Sequence, residues 1–395
     1  MTMRTVLALG LSGSLAVACW AARADEVKVG ITASLTGPYS IWGEEYKKGI
    51  DLFRAKNGTS VDGHEVTILY RDVGGANAPR ARQLAQELIV RDGAVVLGGH
   101  ELTPNVLAVT DVINEAKIPF VVFNSGTAIV TDKSPYFVRA GYTNWTHYYP
   151  LAIYAARQGM KHCVSIVADY APGQESLGAI KKGFTDNGGT IDAEILVPLG
   201  TTDFSPFIQR IRDASPQCTF VFMPLGPMSL TFVKEYTQAG LLKQGIKLYG
   251  QSETAEFDLP TIGDAAIGIE TAEVYGPTLD NPENKAFVAA YKAKYGADKV
   301  PSIIAIQAYD GMKIIYQMIH GSGGKKDGDK AMAAIKGYSW SSPRGPMTID
   351  AQTREPTQNV YIRRVVKENG TLYNKTIYTF EAQKEPWHQF NKSAP

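Results

Sequence analysis

The chain of 395 residues carries 40 Lys and Arg against 39 Asp and Glu, which gives a formal net charge of +1. This near-neutral balance argues against a nucleic-acid partner, because neutralising phosphates requires a basic surface. The length exceeds what one hydrophobic core comfortably serves, so we expect two domains.

The N-terminus has the pattern of a secretory signal. Arg4 precedes an apolar run over residues 6–18, and the small residues of Ala22-Arg23-Ala24 suit a signal peptidase. We therefore predict a signal peptide over residues 1–24, cleavage after Ala24 and export to the periplasm. The run is shorter than the roughly 20 apolar residues of a membrane span. Lipidation at Cys19 is the alternative, but the residues before it make a poor lipobox.

The chain then alternates between strand and helix patterns. Residues 27–33 form an apolar strand pattern, and Tyr46, Ile50 and Phe53 follow on one helix face with helical spacing. The second strand pattern lies at 66–70, and short continuous apolar runs, typical of strands covered on both faces, follow at 94–97 and 120–123. The helix faces between and after these runs are marked by Leu84, Leu88, Val106, Val109 and Ile113.

A second cycle of the same kind begins near Trp145. Its strand patterns lie at 163–168, 191–197, 220–223 and 247–250, with helices between them. This alternation predicts the α/β class, with two open parallel sheets and right-handed crossovers. Beyond it we predict long helices over 283–296 and 303–320, and antiparallel strands over 358–380 that turn at Asn369-Gly370.

Two cysteines, Cys163 and Cys218, remain after signal cleavage, and an exported protein meets an oxidising environment. Both begin predicted strands, so a disulfide forms only if those strands are neighbours. Two buried free thiols are the alternative that we favour, because adjacent strands often miss the geometry of a disulfide.

Five short segments occur together in one order along the chain. They are Leu35-Thr36-Gly37-Pro38 with Trp42-Gly43; Thr202-Asp203-Phe204-Ser205-Pro206; Gln238-Ala239-Gly240-Leu241; Asn281-Pro282 with Phe287, Tyr291 and Tyr295-Gly296; and Ala308-Tyr309-Asp310-Gly311. In these segments the chain resembles the periplasmic solute-binding proteins of the leucine/isoleucine/valine-binding type. Each segment alone could be a turn or a helix face, but the five together make the resemblance specific.

The resemblance implies a type I periplasmic binding protein, in which three crossover segments join two doubly wound lobes. The implied boundaries are 25–141 plus 276–346 for lobe 1 and 142–275 plus 347–395 for lobe 2, with crossovers near 141–143, 274–277 and 345–349. It further implies a monomer that closes on a small-molecule carboxylate and delivers it to the permease of an ABC importer in the inner membrane.

Two loops fit the place where open α/β sheets bind ligands, beyond the carboxyl ends of the strands. They span residues 99–105 and 124–127, and each leads from a predicted strand toward a helix N-terminus, whose free N–H groups suit a carboxylate. By similarity they match the family's ligand-binding loops. The candidate ligand-binding residues there are Thr103, Asn105, Ser125, Gly126 and Thr127. Ordinary helix N-capping is the alternative role for Thr103 and Thr127.

Aromatic and apolar candidates complete the predicted site. Trp42 stands where the family usually places a tyrosine over the ligand, although a core tryptophan at a helix start is the alternative. Tyr170 follows a lobe 2 strand and either contacts the ligand or lines the rim. Leu225 occupies an aromatic position of the family, which suggests a reshaped pocket. An aromatic cluster beside the first crossover, of which Trp145 or Tyr148 could reach the ligand, comprises Tyr142, Trp145, Tyr148 and Tyr149.

The residues Ser252 and Glu253 determine the predicted ligand class. An amino-acid binder of this family needs an acid at this point, because a buried ammonium without a counter-charge is very costly. The resemblance places Ser252 there, so we favour an aromatic carboxylate such as a benzoate or phenylpropanoid acid. A slip of one residue would bring Glu253 into the site and restore a branched-chain or other hydrophobic amino acid.

We find no sequence pattern of an enzyme. The six histidines lack the spacing of a metal site, and neither a nucleophile elbow nor a phosphate or dinucleotide loop is present. We expect no metal and no cofactor, and we assign His100 a structural role. A binding protein that feeds a sensory receptor remains the alternative from another functional class.

Overall fold

The computed structural model describes residues 25–391, so the predicted signal peptide and its cleavage after Ala24 lie outside the described residues. The elements alternate in the predicted order. The strands are β1 Glu26–Ala33, β2 Ser60–Val61, β3 His64–Asp72, β4 Val96–Gly99, β5 Phe120–Val122, β6 Phe137–Arg139, β7 His162–Ala168, β8 Thr190–Val197, β9 Cys218–Phe222, β10 Lys247–Gly250, β11 Glu270–Glu273, β12 Ser339–Ser342, β13 Gly345–Ile349, β14 Pro356–Glu368 and β15 Thr371–Gln383.

The helices separate these strands and cover the sheets. They are α1 Ser40–Asn57, α2 Ala78–Gln86, α3 Thr103–Ala108, α4 Thr110–Ala116, α5 Asn144–Arg157, α6 Ala171–Thr185, α7 Ser205–Ala214, α8 Pro227–Gln238, α9 Leu259–Ile262, α10 Pro282–Tyr295, α11 Ile303–Ser322, α12 Gly328–Ile335 and α13 Trp387–Phe390. Within the described residues, no helix is long and apolar enough to cross a membrane.

The first sheet has the strand order β2-β3-β1-β4-β5-β6. Strands β3, β1, β4, β5 and β6 run parallel, and the two-residue β2 pairs antiparallel with β3. The strand order reverses between β1 and β4, so the loops after these two strands leave the sheet in opposite directions. Such a switch point opens a crevice at the carboxyl ends of the strands.

The second sheet repeats this arrangement. Strands β8, β7, β9, β10 and β11 are parallel and in that order, with their own switch point between β7 and β9. Strand β14 then pairs antiparallel with β11, and β15 and β13 pair antiparallel with β14. The predicted α/β class with two doubly wound sheets is confirmed, and the predicted antiparallel C-terminal strands form a hairpin on the edge of the second sheet.

Burial explains why these segments form strands and helices. The short run Phe120–Val122 is wholly buried, as a strand covered on both faces must be. Helix α11 is apolar on most of its surface because it packs in the interior, where it contacts α1. A glycine is required at position 49 of α1, because a Cβ there would collide with the Ala305 carbonyl of α11.

The two cysteines form a disulfide between neighbouring strands. Cys163 of β7 and Cys218 of β9 are register partners with their Cα atoms 4.6 Å apart, and their sulfur atoms are bonded. Our expectation of two free thiols is therefore wrong. It failed because strand adjacency and register, which the sequence does not give, place both cysteines at the same level of the sheet.

Candidate functional site

A cavity of about 40 Å³ lies where the switch points of the two sheets face each other. Its walls come from the loops after β1, β4 and β5 on the first-sheet side and after β7, β9 and β10 on the second-sheet side. This volume exceeds the roughly 10–15 Å³ that a single water molecule needs. The predicted site residues that line it are Trp42, Thr103, Gly126, Tyr170, Leu225 and Ser252.

Three hydroxyl groups form a connected cluster on the first-sheet side. The Ser125 hydroxyl donates to Thr103 Oγ1 at 3.0 Å, and Thr103 Oγ1 lies 2.9 Å from Thr127 Oγ1. Only Thr103 of the three lines the cavity. When Thr127 also donates, the Thr103 oxygen accepts two hydrogen bonds and its own proton is free to point into the cavity.

Helix N-capping does not explain these threonines. Thr103 is the first residue of α3 rather than its cap, and Thr127, which precedes the 3₁₀ turn Ala128–Lys133, makes no side-chain capping hydrogen bond. The capping alternative is therefore wrong for both side chains, whose hydroxyl groups bond to each other instead.

A buried arginine holds the loop that carries Ser125 and Thr127. The Arg139 guanidinium at the end of β6 donates to the carbonyl groups of Asn124 at 3.0 Å and Thr127 at 2.8 Å, and also to that of Ser125. Its Nε donates to Glu355 Oε2 at 2.7 Å, so its charge is paired. The backbone of the loop is thus held by an arginine whose charge is paired with Glu355 in the protein interior.

Two further predicted residues of these loops have structural contacts. The Asn105 side chain bonds to Gly75 and Asn77 of the loop between β3 and α2, and it does not line the cavity. Gly126 lines the cavity and packs so closely against the Asn144 side chain that a Cβ would not fit.

Aromatic rings dominate the remaining walls. Trp42, in the first turn of α1, packs edge-on against Tyr46, as a core tryptophan at a helix start would, and it also lines the cavity. On the other side Tyr170 stacks on Phe222 with ring centroids 6.1 Å apart. Tyr142 also lines the cavity, whereas the other members of its sequence cluster, Trp145, Tyr148 and Tyr149, do not.

Ser252 and Glu253 after β10 have different surroundings. Ser252 lines the cavity and donates its hydroxyl to Glu273 Oε2 at 2.9 Å. Glu253 does not line the cavity, because its carboxylate accepts the backbone N–H groups of Met223 at 3.2 Å and of Gln251. Burial raises the pKa of Glu253 to about 7.

The hydrogen-bond partner of Ser252, Glu273, is a buried acid with His147 and Arg363 nearby. Burial raises the pKa of Glu273, but His147 and Arg363 outweigh that effect, so the net pKa is lowered. The His147 Nε2 atom lies 3.1 Å from Glu273 Oε1. Glu273 does not line the cavity.

Glu101 is the carboxyl group on the cavity wall of the described chain. It is the second residue after β4, and Gly99 and His100 before it both have positive φ values. Its Oε1 accepts the Ser34 hydroxyl, and no group within residues 25–391 hydrogen-bonds to its Oε2. Burial raises the pKa of Glu101 to about 7, so a large fraction of this side chain is neutral near neutral pH.

Aromatic, apolar and uncharged polar side chains, together with Glu101, form the cavity wall of the described chain. No lysine, arginine or histidine lines it within the described chain, and the Ser252 hydroxyl on its wall is hydrogen-bonded to the Glu273 carboxylate. His100 does not line it. Burial lowers the pKa of His100 to about 3, and its Nε2 lies 3.2 Å from Thr32 Oγ1. These contacts fit the predicted structural role of His100.

The sequence matches the family described as periplasmic binding protein over residues 26–371. The chain belongs to this family. It is 43% identical to the Leu/Ile/Val-binding protein homolog 6 of Brucella melitensis, over 96% of this chain and 98% of the relative. The family consists of solute-binding proteins rather than enzymes, and the chain is a solute-binding protein of the ABC-transporter type.

Two solved structures extend the comparison. A solute-binding protein of an ABC transporter from R. palustris, in complex with 4-hydroxybenzoate, is 42% identical to this chain. The match covers 91% of this chain and 98% of the R. palustris protein, with a TM-score of 0.89. Another solute-binding protein, from Rhodopseudomonas palustris BisB5 in complex with 3,4-dihydroxybenzoic acid, is 39% identical to this chain. The match covers 92% of this chain and 99% of that protein, with a TM-score of 0.87.

Sequence reasoning missed several residues around the cavity. Glu101 and Gln251 line it, and the side-chain oxygen of Gln251 has no hydrogen-bond partner within the described residues. Arg139 donates to the loop at 124–127 and pairs with Glu355, although neither side chain lines the cavity. The available signal was Arg139 itself, because a charged residue that ends an apolar strand must find a buried partner.

Proposed function

We propose that this protein binds aromatic carboxylates of the hydroxybenzoate type for an ABC importer. The ring lies between Trp42 and Tyr170, the carboxylate meets the Thr103 hydroxyl, and a ring hydroxyl meets Gln251 and Ser252 on the opposite wall. Two relatives that are about 40% identical bind hydroxylated benzoates, which supports the same ligand class here.

The observation that carries this proposal is that Ser252, and not the neighbouring acid Glu253, lines the cavity after β10. An amino-acid ligand needs an ionised acid near its ammonium group, since an unpaired buried charge costs several kcal/mol. Here Ser252 faces the cavity and Glu253 is turned toward backbone N–H groups. The aromatic side chains instead offer flat apolar surfaces that suit a benzene ring.

Glu101 keeps an amino acid as the second candidate ligand. It is an acid on the cavity wall with a free carboxyl oxygen, and in its ionised form it could pair with an ammonium group. Its raised pKa of about 7 weakens this alternative, because the ionised form is not dominant near neutral pH.

The proposed cellular role follows from the family and the N-terminal pattern. The protein is exported to the periplasm after cleavage at Ala24, acts as a monomer and closes its two lobes around the solute. Closure follows from the ligand's greater affinity for the closed form. The loaded protein then delivers its ligand to the permease subunits in the inner membrane.

Calorimetric titration of protein stripped of bound solute by unfolding and refolding tests this proposal. We expect binding of 4-hydroxybenzoate and 3,4-dihydroxybenzoate at pH 6.5, and affinities for L-leucine and L-valine at least about 100-fold weaker, because their ammonium group would remain unpaired. Tight binding of leucine without binding of either benzoate would refute the proposed ligand class.

A further inference from the structure

We propose that Glu101 is a ligand-binding residue and that it binds the aromatic carboxylate as a neutral carboxylic acid. This inference rests on the proposed function. Its starting point is geometric: the side chain is 2% exposed, lines the cavity, and has one carboxyl oxygen without a hydrogen-bond partner among residues 25–391. Buried polar atoms rarely stay unpaired, so this oxygen points to a ligand contact.

The position of Glu101 in the fold places it beside the predicted carboxylate site. It lies two residues before Thr103 on the loop after β4, at the switch point of the first sheet. The Asn124 side chain donates to the Glu101 carbonyl at 3.1 Å, which ties this loop to the one that carries Ser125 and Thr127. A carboxylate at Thr103 therefore comes close to Glu101.

The charges around Glu101 decide its protonation state when an anion binds. The facing ionisable groups are Tyr39 of the turn before α1, Tyr46 of α1 and Asp72 at the end of β3, and none of them is cationic. The cavity wall in the described chain also lacks a basic residue. Two carboxylates in one enclosed site repel each other, so one of them must take up a proton.

Glu101 takes up that proton because burial already raises its pKa to about 7. The neutral acid then donates its O–H through Oε2 to a carboxylate oxygen of the ligand, a short charge-assisted hydrogen bond. A proton enters from solvent with each ligand that binds to ionised Glu101, and it leaves when the ligand leaves.

This assignment makes binding weaken as pH rises. The dissociation constant for benzoate is expected to be nearly constant below pH 6 and to rise about tenfold per pH unit well above pH 7, which gives about 30-fold between pH 6 and 8.5. Titration calorimetry in two buffers of different ionisation enthalpy should show net proton uptake by the wild-type protein that approaches one per ligand at pH 8.5.

Two matched variants separate Glu101 from a second acid. Glu175 of α6 also has a pKa raised to about 7 by burial, and it accepts the Ala128 N–H at 2.7 Å across the junction between the two sheets. Glu101→Gln keeps the size and a donor group, and it should bind benzoate with a pH-independent affinity and no proton uptake. Glu175→Gln should keep most of the pH dependence.

The outcomes also separate this inference from the proposed function. If the wild-type protein binds benzoate with no pH dependence and no proton uptake, or if Glu175→Gln rather than Glu101→Gln removes both, the inference is refuted and the proposed function stands. If benzoate and 4-hydroxybenzoate fail to bind at every pH while leucine binds more tightly as pH rises, Glu101 is an ionised ammonium partner and both proposals fail.

Discussion

The Thr103 hydroxyl is the atom on which the proposed carboxylate contact depends. It accepts the Ser125 hydroxyl, and when Thr127 also donates to it, its own proton is available to a ligand. We expect Thr103→Val to weaken benzoate binding by about 10–100-fold, the range for a hydrogen bond to a charged group, as measured by titration calorimetry.

The matched control for this change is Thr127→Val. The Thr127 hydroxyl touches Thr103 but does not line the cavity, so its loss should weaken binding less than the loss of the Thr103 hydroxyl. Equal affinity of Thr103→Val and the wild type, with both proteins folded, would place the carboxylate elsewhere.

Gln251 should determine preference for a ring hydroxyl. Its side-chain oxygen faces the cavity without a partner in the described chain, so it can accept the proton of a phenol. We expect Gln251→Leu to lower affinity for 4-hydroxybenzoate about 2–13-fold, the value of one ordinary hydrogen bond, and to leave affinity for unsubstituted benzoate nearly unchanged. An equal loss for both ligands would argue against this contact.

Glu253 is expected to matter for stability rather than for ligand choice. Its carboxylate accepts two backbone N–H groups, and in Glu253→Gln an amide NH₂ would face one of those donors. We expect a loss of about 1–3 kcal/mol in the free energy of unfolding in urea, with little change in benzoate affinity. Unchanged stability together with a tenfold or greater loss of affinity would instead identify Glu253 as a ligand contact.

At the scale of elements, the ion pair of Arg139 and Glu355 connects distant parts of the chain. It joins the end of β6 to the residue before β14, and the same guanidinium fixes the loop at 124–127. Both side chains are almost completely buried. The geometry of the loop at 124–127 therefore depends on where β14 enters the second sheet.

Removing one partner of this ion pair should destabilise the folded protein. We expect Glu355→Gln to lower the free energy of unfolding by about 3–5 kcal/mol, because it leaves a buried guanidinium unpaired, and to weaken ligand binding as the loop at 124–127 loosens. Glu368→Gln, which breaks the exposed pair with Lys375, is the control and should cost less than about 1 kcal/mol. Similar losses in urea unfolding for the two variants would contradict the role assigned to the buried pair.

Most elements could be predicted from the sequence, and the exceptions have physical reasons. Continuous apolar runs such as that of β5 indicated strands buried on both faces. The three-residue β6 escaped prediction because it is short and ends in a charged residue, Arg139, whose partner lies 216 positions away. The pairing of β7 with β9, which are far apart in the sequence, likewise decided that Cys163 and Cys218 form a disulfide.

The candidate site was predicted in part, and the missing residues depend on backbone direction. Thr103 and Ser252 were found because they follow strand patterns directly. Glu101 was not, since its direction is set by the positive φ of Gly99 and of His100, and a histidine gives no sequence signal for that conformation. The lobe boundaries at 141, 276 and 346 and the ligand roles of the site residues stay predictions.

At the scale of the whole molecule, the C-terminal segment joins both halves of the structure. His388 bonds to Glu385 at 2.7 Å and lies 3.2 Å from Asp132, while Glu385 also accepts the hydroxyl of Thr143, the residue before α5 at the predicted first crossover. Burial alone would lower the pKa of His388, but these acids raise it to about 9. The charged form of His388 therefore stabilises this junction.

The pH dependence of stability should report this contact. Because the folded-state pKa of His388 lies above its ordinary value, its contribution is fully present below about pH 6.5 and is lost as pH rises through 9. The contribution is on the order of 3 kcal/mol at most. Urea unfolding at pH 6 and pH 9 should show a smaller difference for His388→Asn than for the wild type. An equal difference in both proteins would exclude this role.

A crystal structure of the protein with 4-hydroxybenzoate would test the central claim most directly. We expect the ring between Trp42 and Tyr170, the carboxylate within hydrogen-bond distance of Thr103 Oγ1 and Glu101 Oε2, and the ring hydroxyl near Gln251. Glu253 should keep its two backbone N–H groups. A ligand bound outside this cavity, or one whose carboxylate lies on the second-sheet side away from Thr103, would contradict the account.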